Sequence, residues 1–366
     1  MNNKKIKISK LKVAIVLQSM NIGGGEMMAA RLATYIDTTK FDIKLFIISK
    51  KLNNQILDIL NDSKIDYECL GLPTSFNYQS YKVFSKKISD FMPDIVHEHL
   101  DACYSWVWCI LHNKPLIATM HSDPFRRKSN RVKIVMKIKS LQKNLRVIGC
   151  SKKTAELVKS CYNLSDKSVS FIYNPIDISK YTVSKHKFNE FRFIHVARFH
   201  EIKNHKMLIN AFSNAFGKVN NVRLYLAGNG PLLEEIKKIS KNIGIADKVV
   251  FLGNVNNISS ILKEMDVLLL SSLSEAFPMS ILEGMASGLP IIATDVGGIS
   301  EAVTDNGILV ESGNEEEFAN ALKIIVNDRE KLMEMSKNSL KNVKQFDKLQ
   351  VSRKYEEEYY RLRNAK

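Results

Sequence analysis

The stretch "SEAFPMSILEGMASGLPIIATDVGG", residues 274–298, places two carboxylates, Glu275 and Glu283, eight positions apart around the start of one helix. Pro278 suits the first helical position, where a missing N–H costs nothing, and the pattern predicts a helix from Pro278 to about Ser287. Gly288-Leu289-Pro290 stops it. The apolar runs 266–270 (DVLLL) before it and 290–294 after it read as strands. Strand, loop, helix, strand is the repeating unit of a parallel sheet covered on both faces.

The alternation extends through the chain. Strands are predicted at 13–17, 43–48, 94–97, 116–120 and 147–150, then at 192–197, 222–227, 248–252, 266–270, 290–294 and 307–310. Eleven strands are too many for one ordinary doubly wound sheet, so two α/β domains are expected. The boundary falls in "FIYNPIDISKYTVSKHKFNEF", residues 171–191, where Asn174-Pro175 is followed by a polar, Lys-rich stretch without periodicity. This gives a first domain over 1–175, a linker over 176–190 and a second domain over 191–345. A charged terminal helix, 346–366, carries an aromatic face at Tyr355, Tyr359 and Tyr360.

With 366 residues, 45% of them hydrophobic and 25% charged, the composition is that of an ordinary globular enzyme. No apolar run reaches the ~18 residues a spanning helix needs. The start, "MNNKKIKISKLKVAIVLQSM", is basic, but its apolar run is only Val13 to Leu17 and no small-residue cleavage site follows. It reads as a tail and a first strand. Five cysteines without a Cys-x-x-Cys pair argue for a reducing compartment and against a disulfide frame or zinc site. The net charge of +16 is lopsided: residues 1–175 carry 28 Lys and Arg against 14 Asp and Glu. Such a field calls for an anionic partner.

Several strand ends carry candidate chemistry. In "VAIVLQSMNIGGGEMMAARLATYI", Gly23-Gly24-Gly25 joins a strand to a helix whose first N–H groups are free for an anion. A plain tight turn has the same look, and the spacing is neither a dinucleotide nor a Walker fingerprint. "PDIVHEHL" and "KPLIATMHSDP" end strands in His97, His99 and His121. His97 and His99 share a strand face, a pattern open to a metal pair, but no third ligand is nearby. His121 holds a position suited to a ligand-binding edge. In "HVARFHEIKNHKMLINAF", Arg198 and Lys203 are spaced across a loop so that two cations can straddle a diphosphate; solvated loop charges are the plain alternative. "LYLAGNGPLLEEI" turns at Gly228, with Pro231 at the first position of the next helix, and backbone near Val255 in "FLGNVNNI" is suited to a flat base.

The opening acids fit this scheme. A carboxylate does not bind phosphate, but it accepts hydrogen bonds from sugar hydroxyls. Glu275 and Glu283 can therefore grip sugars while cations and helix N–H groups hold phosphates. A dipole acid and a solvated helix acid remain the simpler reading. Residues 126–146 add nine basic side chains and no acid. Ile134, Ile138, Leu141 and Leu145 fall on one predicted helix face, flanked by Arg126, Arg127, Lys133, Lys137, Lys139 and Lys143. That reads as a membrane-surface helix or as a core-facing helix with a solvated back. Nucleic acid is not expected, because no aromatic residues are interleaved.

Together "GGGE", "PDIVHEH", "ATMHSD", "YNPID", "ARFHEIKN", "AGNGP" and the Glu275–Glu283 element resemble, in order and over nearly the whole chain, the retaining glycosyltransferases of family 4. The resemblance implies the GT-B fold: two Rossmann-like, doubly wound domains facing each other across a cleft that closes on a hinge, with 346–366 crossing back to the first. It implies transfer from a nucleotide diphosphate sugar, most often a UDP-sugar and sometimes GDP-mannose, to a lipid-linked or cell-surface glycan in capsule, lipopolysaccharide or similar polysaccharide biosynthesis.

By position, Glu283 would hold the ribose. Glu275, with backbone at Phe277, Pro278 and Met279, would hold the donor sugar. Arg198 and Lys203 would neutralise the leaving diphosphate. Gly23–Gly25 would close over the phosphates, His121 would contact the donor sugar near the reacting carbon, and the base would lie by Val255. No cofactor is implied, the nucleotide sugar being a co-substrate. The chain has no Asp-x-Asp, so no metal clamp is expected. A cytoplasmic protein peripheral to the inner membrane face is expected. Ile176 departs from the Gly-Val-Asp that often follows the family's Asn, which touches only the linker. A GT-B sugar-nucleotide epimerase is the alternative activity, and a non-catalytic nucleotide-sugar binder would have a degraded site.

Overall fold

In the computed structural model, which describes residues 10–19, 24–50, 54–99, 103–127, 130–184 and 190–364, the first strand β1 (Leu11–Leu17) is buried at every position but Lys12. Leu11, Val13, Ile15 and Leu17 pack into one apolar cluster, and Ala14 and Val16 into another. A strand buried on both faces is the mark of a central parallel strand between helical layers. Six more strands join it: β2 (Phe41–Ile47), β3 (Asp66–Cys69), β4 (Ile95–His99), β5 (Leu116–Met120), β6 (Leu145–Gly149) and β7 (Val169–Phe171). The order is β3-β2-β1-β4-β5-β6-β7, with every pairing parallel. The chain therefore reverses its winding between β1 and β4.

This sheet belongs to a unit made of Met1–Pro175 and Lys348–Lys366. One face is covered by the helix Gly24–Tyr35 and by the helix Lys348–Asn364, which contributes Val351, Tyr355, Tyr359 and Leu362. Arg146 on β6 meets Glu358 of that last helix at 2.6 Å, both nearly buried. The other face packs against Tyr81, Phe84 and Ile88, Tyr104 and Trp108, Met136, and Val158.

The second unit, Ile176–Asp347, repeats the plan. Its strands β8 (Phe191–Val196), β9 (Val222–Ala227), β10 (Val249–Gly253), β11 (Val267–Leu270), β12 (Ile291–Thr294) and β13 (Gly307–Val310) run in the order β10-β9-β8-β11-β12-β13, all parallel. The winding reverses between β8 and β11. The helix Met279–Ala286 lies so close to the sheet that a Cβ on Gly284 would meet Leu268 and Ile291 side chains at 3.0–3.2 Å. The two ends of this unit pair with each other: Ile176 N donates to Phe346 O at 2.9 Å and bridges Asp347. Ile176, Asp177 and Ser184 are buried, so this part of the stretch expected as a linker is packed.

Four local expectations need correction. β3 and β7 were not expected; both are edge strands, half-exposed and short. Pro278 caps the helix Met279–Ala286 from outside it, with φ −75° and ψ 130°, because it ends an extended segment. Pro231 sits in a turn, and its helix begins at Leu233. The fourth concerns the basic segment. Its helix is Asn130–Leu141, and Leu145 belongs to β6.

The inward stripe of that helix is Val132, Met136 and Lys139, at helical spacing, while Ile134, Ile138 and Leu141 face outward at 59%, 36% and 75% exposure. Lys139 is therefore no surface group. Its Nζ donates to Lys114 O (2.7 Å), Gln142 Oε1 (2.9 Å) and Cys109 O (3.4 Å), serving carbonyls at the end of the helix Cys103–Leu111. Burial lowers its pKa to about 8. Lys137 and Lys143 are exposed and Lys133 half-buried; the side chains of Arg126 and Arg127 lie outside the described set. Among the described residues, no helix is long and apolar enough to cross a membrane.

Candidate active site

In an open α/β sheet, ligands bind beyond the strand carboxyl ends where the winding reverses. In the second unit that place is framed by the loops after β8 and β11, and the sequence puts Arg198, Lys203 and Glu275 there. Phe199 is wholly buried, so its neighbour Arg198 points out of the loop, exposed and without a partner among the described residues. A 3-10 turn, Glu201–Lys203, then leads through Asn204, at φ +48°, into the helix His205–Phe216.

The two loops are stitched together. Leu273 N donates to Ile202 O at 2.7 Å. Ser271 Oγ donates to Lys203 O at 2.8 Å and lies 3.3 Å from Asn204 O. Lys203 Nζ forms an ion pair with Glu275 Oε1. The same oxygen accepts from Ser272 Oγ at 2.6 Å. Glu275 Oε2 has no partner among the described residues, so the carboxylate is anchored by one oxygen and open at the other.

Two glycine loops brace this core from either side. Gly228 has φ +139°, and a Cβ there would lie 2.0 Å from Ala197 O. Phe199 N donates to Asn229 O at 3.0 Å, and Gly228 N to Gly253 O at 2.7 Å. On the other side Gly297, at φ +58°, lies under Glu275: a Cβ would stand 1.6 Å from Glu275 O. Gly298 N donates to Ala276 O at 3.0 Å. Ser271, Ser272 and Gly297 were not singled out from sequence, although "TDVGG" stood in view; a Gly-Gly pair after a strand was the available signal.

Phe277 is buried and tilts against Phe346 at 5.4 Å between ring centres, so its side chain anchors the loop. Pro278 is buried, and Met279 opens the helix whose first N–H groups have no intrahelical acceptor. Glu283 stands on its second turn, half-buried. Val255 is half-buried in the loop after β10. Below Lys203 lies a buried pair, His195 and His205, edge to face at 4.6 Å, both held well below the ordinary histidine pKa by burial, His205 at about 4.

In the first unit Gly24 and Gly25 open the helix Gly24–Tyr35, and a Cβ on Gly24 would meet nothing within 4 Å. Gly23 lies outside the described residues. His97 and His99 end β4, and His121 follows β5. His97 is bonded at both nitrogens, to Tyr359 OH at 2.8 Å and to Thr119 Oγ1 at 2.7 Å. No cluster of three or more His, Cys, Asp or Glu among the described residues is arranged to hold a metal.

Comparison with known proteins assigns the chain to a class of enzymes. Residues 22–180 match Glycosyltransferase Family 4 and residues 180–342 match Glycosyl transferases group 1. The chain belongs to this family of glycosyltransferases and has its GT-B fold. It is similar to N-acetyl-alpha-D-glucosaminyl L-malate synthase of Bacillus anthracis, 33% identical over 57% of this chain and 56% of that one. It is 26% identical to the Escherichia coli UDP-Gal:alpha-D-GlcNAc-diphosphoundecaprenol alpha-1,3-galactosyltransferase, over 90% of this chain and 91% of that protein. Among solved structures, Anabaena HepE in complex with UDP-glucose superposes with a TM-score of 0.81 at 19% identity, covering 96% of this chain and 100% of that one.

Proposed function

We propose that this glycosyltransferase moves a sugar, with retention, from a UDP-sugar to a lipid-linked glycan at an anionic membrane surface. The observation that carries the donor half is Glu275, fixed by Lys203 and Ser272 through Oε1 and open at Oε2, beside the start of the helix Met279–Ala286. The free oxygen accepts a sugar hydroxyl. Lys203, already held in place, and Arg198 face the diphosphate, whose charge grows as the glycosidic bond breaks. Cations positioned in advance stabilise that charge without reorganising. The helix N–H groups add to it, and Glu283 on the same helix takes the ribose hydroxyls. His121 contacts the donor sugar and Gly23–Gly25 the phosphates. The chain's own cations serve the leaving group, so turnover is expected to survive EDTA.

The acceptor half rests on the outward Ile134, Ile138 and Leu141 beside Lys133, Lys137 and Lys143. Apolar side chains flanked by lysines suit the boundary of an anionic bilayer. The Escherichia coli relative is named for an undecaprenol-linked acceptor. A small acid acceptor, as in the name of the Bacillus anthracis relative, gives no use for that face.

The test is thermal stabilisation of the purified protein by UDP, GDP, ADP and their common sugars, with Glu283→Ala alongside. UDP and one UDP-sugar are expected to stabilise the protein, at 100-fold over Kd by about 2.7 kcal/mol, and the variant to lose the effect. Stabilisation by GDP alone would replace the UDP assignment. A full response in Glu283→Ala would remove the ribose role.

A further inference from the structure

The ends of β4 and β5 carry three histidine rings in a row. His97 is pinned at both nitrogens by Tyr359 and Thr119 and is wholly buried. The His99 ring packs on it with centroids 4.2 Å apart. His99 Nδ1 then meets His121 Nε2 at 2.9 Å, the two planes 15° apart and the centroids separated by 5.2 Å. Nearly coplanar rings with so short a nitrogen contact and so long a centroid distance touch edge to edge, the geometry of a ring-to-ring hydrogen bond. His99 Nε2 is buried and has no partner among the described residues.

Burial holds all three rings below the ordinary histidine value, His97 at about 3 and His121 at about 4, so each carries one proton at pH 7. Two arrangements satisfy the 2.9 Å contact. If His121 Nε2–H donated, the His99 proton would sit on Nε2, a buried N–H with no acceptor. If His99 Nδ1–H donates, the unpartnered Nε2 is a bare lone pair. Orphaned buried N–H groups are the rarer of the two, and the bond made by one ring nitrogen decides which nitrogen carries the proton.

We propose that His99 is a positioning residue: its Nδ1–H donates to His121 Nε2 and fixes His121 as the tautomer with its proton on Nδ1. His121 then offers an N–H at its remaining nitrogen. It recognises an oxygen acceptor, a sugar hydroxyl or phosphate oxygen, and cannot serve as a proton acceptor. The functional part of this rests on the reading of His121 as a donor-sugar contact; the tautomer itself does not.

The test is nitrogen NMR of the histidine-labelled full chain at pH 7 without ligand, with signals assigned by His99→Asn and His121→Gln. His99 and His121 are both expected as neutral Nδ1–H rings. A His99 protonated on Nε2 overturns the proposal. Activity supplies the second arm. His99→Leu removes the donor and is expected to lower kcat/KM roughly tenfold to a hundredfold, the scale for losing a partner that orients a functional histidine. UDP affinity should stay unchanged. His99→Asn, whose amide N–H2 takes the place of Nδ1–H, is expected to restore most of the rate. Equal loss in both variants would mean packing alone and overturns the positioning role. If His99→Leu does not fold, the tautomer spectrum of the native chain decides. Full activity in His121→Ala would retire the contact of His121 with the sugar and leave the spectrum untouched.

Discussion

Lys203 and Glu275, 72 residues apart, are joined by an ion pair that ties the loop after β8 to the loop after β11. The pair is partly shielded, with side-chain exposures of 25% and 11%, so its value lies in orientation more than in stability. Lys203→Ala and Glu275→Gln are each expected to lower kcat by about 10²–10³, the scale of one lost oxyanion donor. Because each positions the other, the double variant should be little worse than the more severe single one, a coupling of about 3–4 kcal/mol, equal to one single loss. Additive losses in a kinetic double-mutant cycle would show that the two act independently.

Gly297→Ala tests the brace beneath Glu275. The added Cβ meets a backbone oxygen at 1.6 Å at φ +58°, so no rotamer change relieves it. A large drop in turnover is expected, with a stability loss of about 1–3 kcal/mol. Gly313→Ala is the control: its φ is +84° but a Cβ there meets nothing within 4 Å. It should cost only the backbone strain of about 1 kcal/mol and spare activity. Equal loss of turnover in both would detach Gly297 from the site.

Vesicle co-sedimentation tests the outward face of the helix Asn130–Leu141. Lys133→Gln, Lys137→Gln and Lys143→Gln should each weaken binding to anionic vesicles by about 1 kcal/mol. Ile134→Ser and Leu141→Ser should also weaken binding but leave its salt dependence in place, whereas the lysine variants reduce it. Lys139→Gln should act differently, lowering stability rather than binding, because its ammonium serves buried carbonyls. Unchanged sedimentation in all surface variants would remove the membrane role.

Acid should destabilise the fold through its buried histidines. His97, His99, His195 and His205 have folded-state pKa values below the unfolded value of 6.5, at about 3 for His97 and about 4 for His205. Below pH 6.5 the unfolded chain takes up protons that the folded chain refuses. The stability they contribute is fully present above pH 6.5 and is lost as pH falls towards 4 and 3. Each histidine contributes a slope of at most about 1.4 kcal/mol per pH unit. Urea unfolding at pH 7 and pH 5 should show a lower midpoint at pH 5. An unchanged midpoint would contradict the buried neutral state.

The parallel sheets were legible because central strands such as Leu116–Met120, apolar but for Thr119, and Val267–Leu270 are short runs buried at every position. The edges were not. "DYEC" at β3 is paired on one side only and has no hydrophobic signature. Arg198, Lys203 and Glu275 could be placed at strand ends by loop position alone. What the alphabet could not give was their partners: Ser272 on Glu275, or the approach of Gly297, both set by packing between segments far apart in sequence. The basic helix misled for a related reason. A lysine at an inward position looks like a surface charge until the carbonyls it serves are known.

The helix Lys348–Asn364 completes the first sheet's core, yet it is synthesised after the whole of the second unit. Until Val351, Tyr355 and Tyr359 leave the ribosome, the apolar face that includes Val13 and Ile15 lacks part of its cover. The second unit has no such wait, since Ile176 and Asp347 close it on itself. Maturation of the nascent chain should therefore run against the order of translation: the second unit settles first, and the first is sealed last. A chain truncated after residue 347 would carry a finished second unit and an aggregation-prone first one.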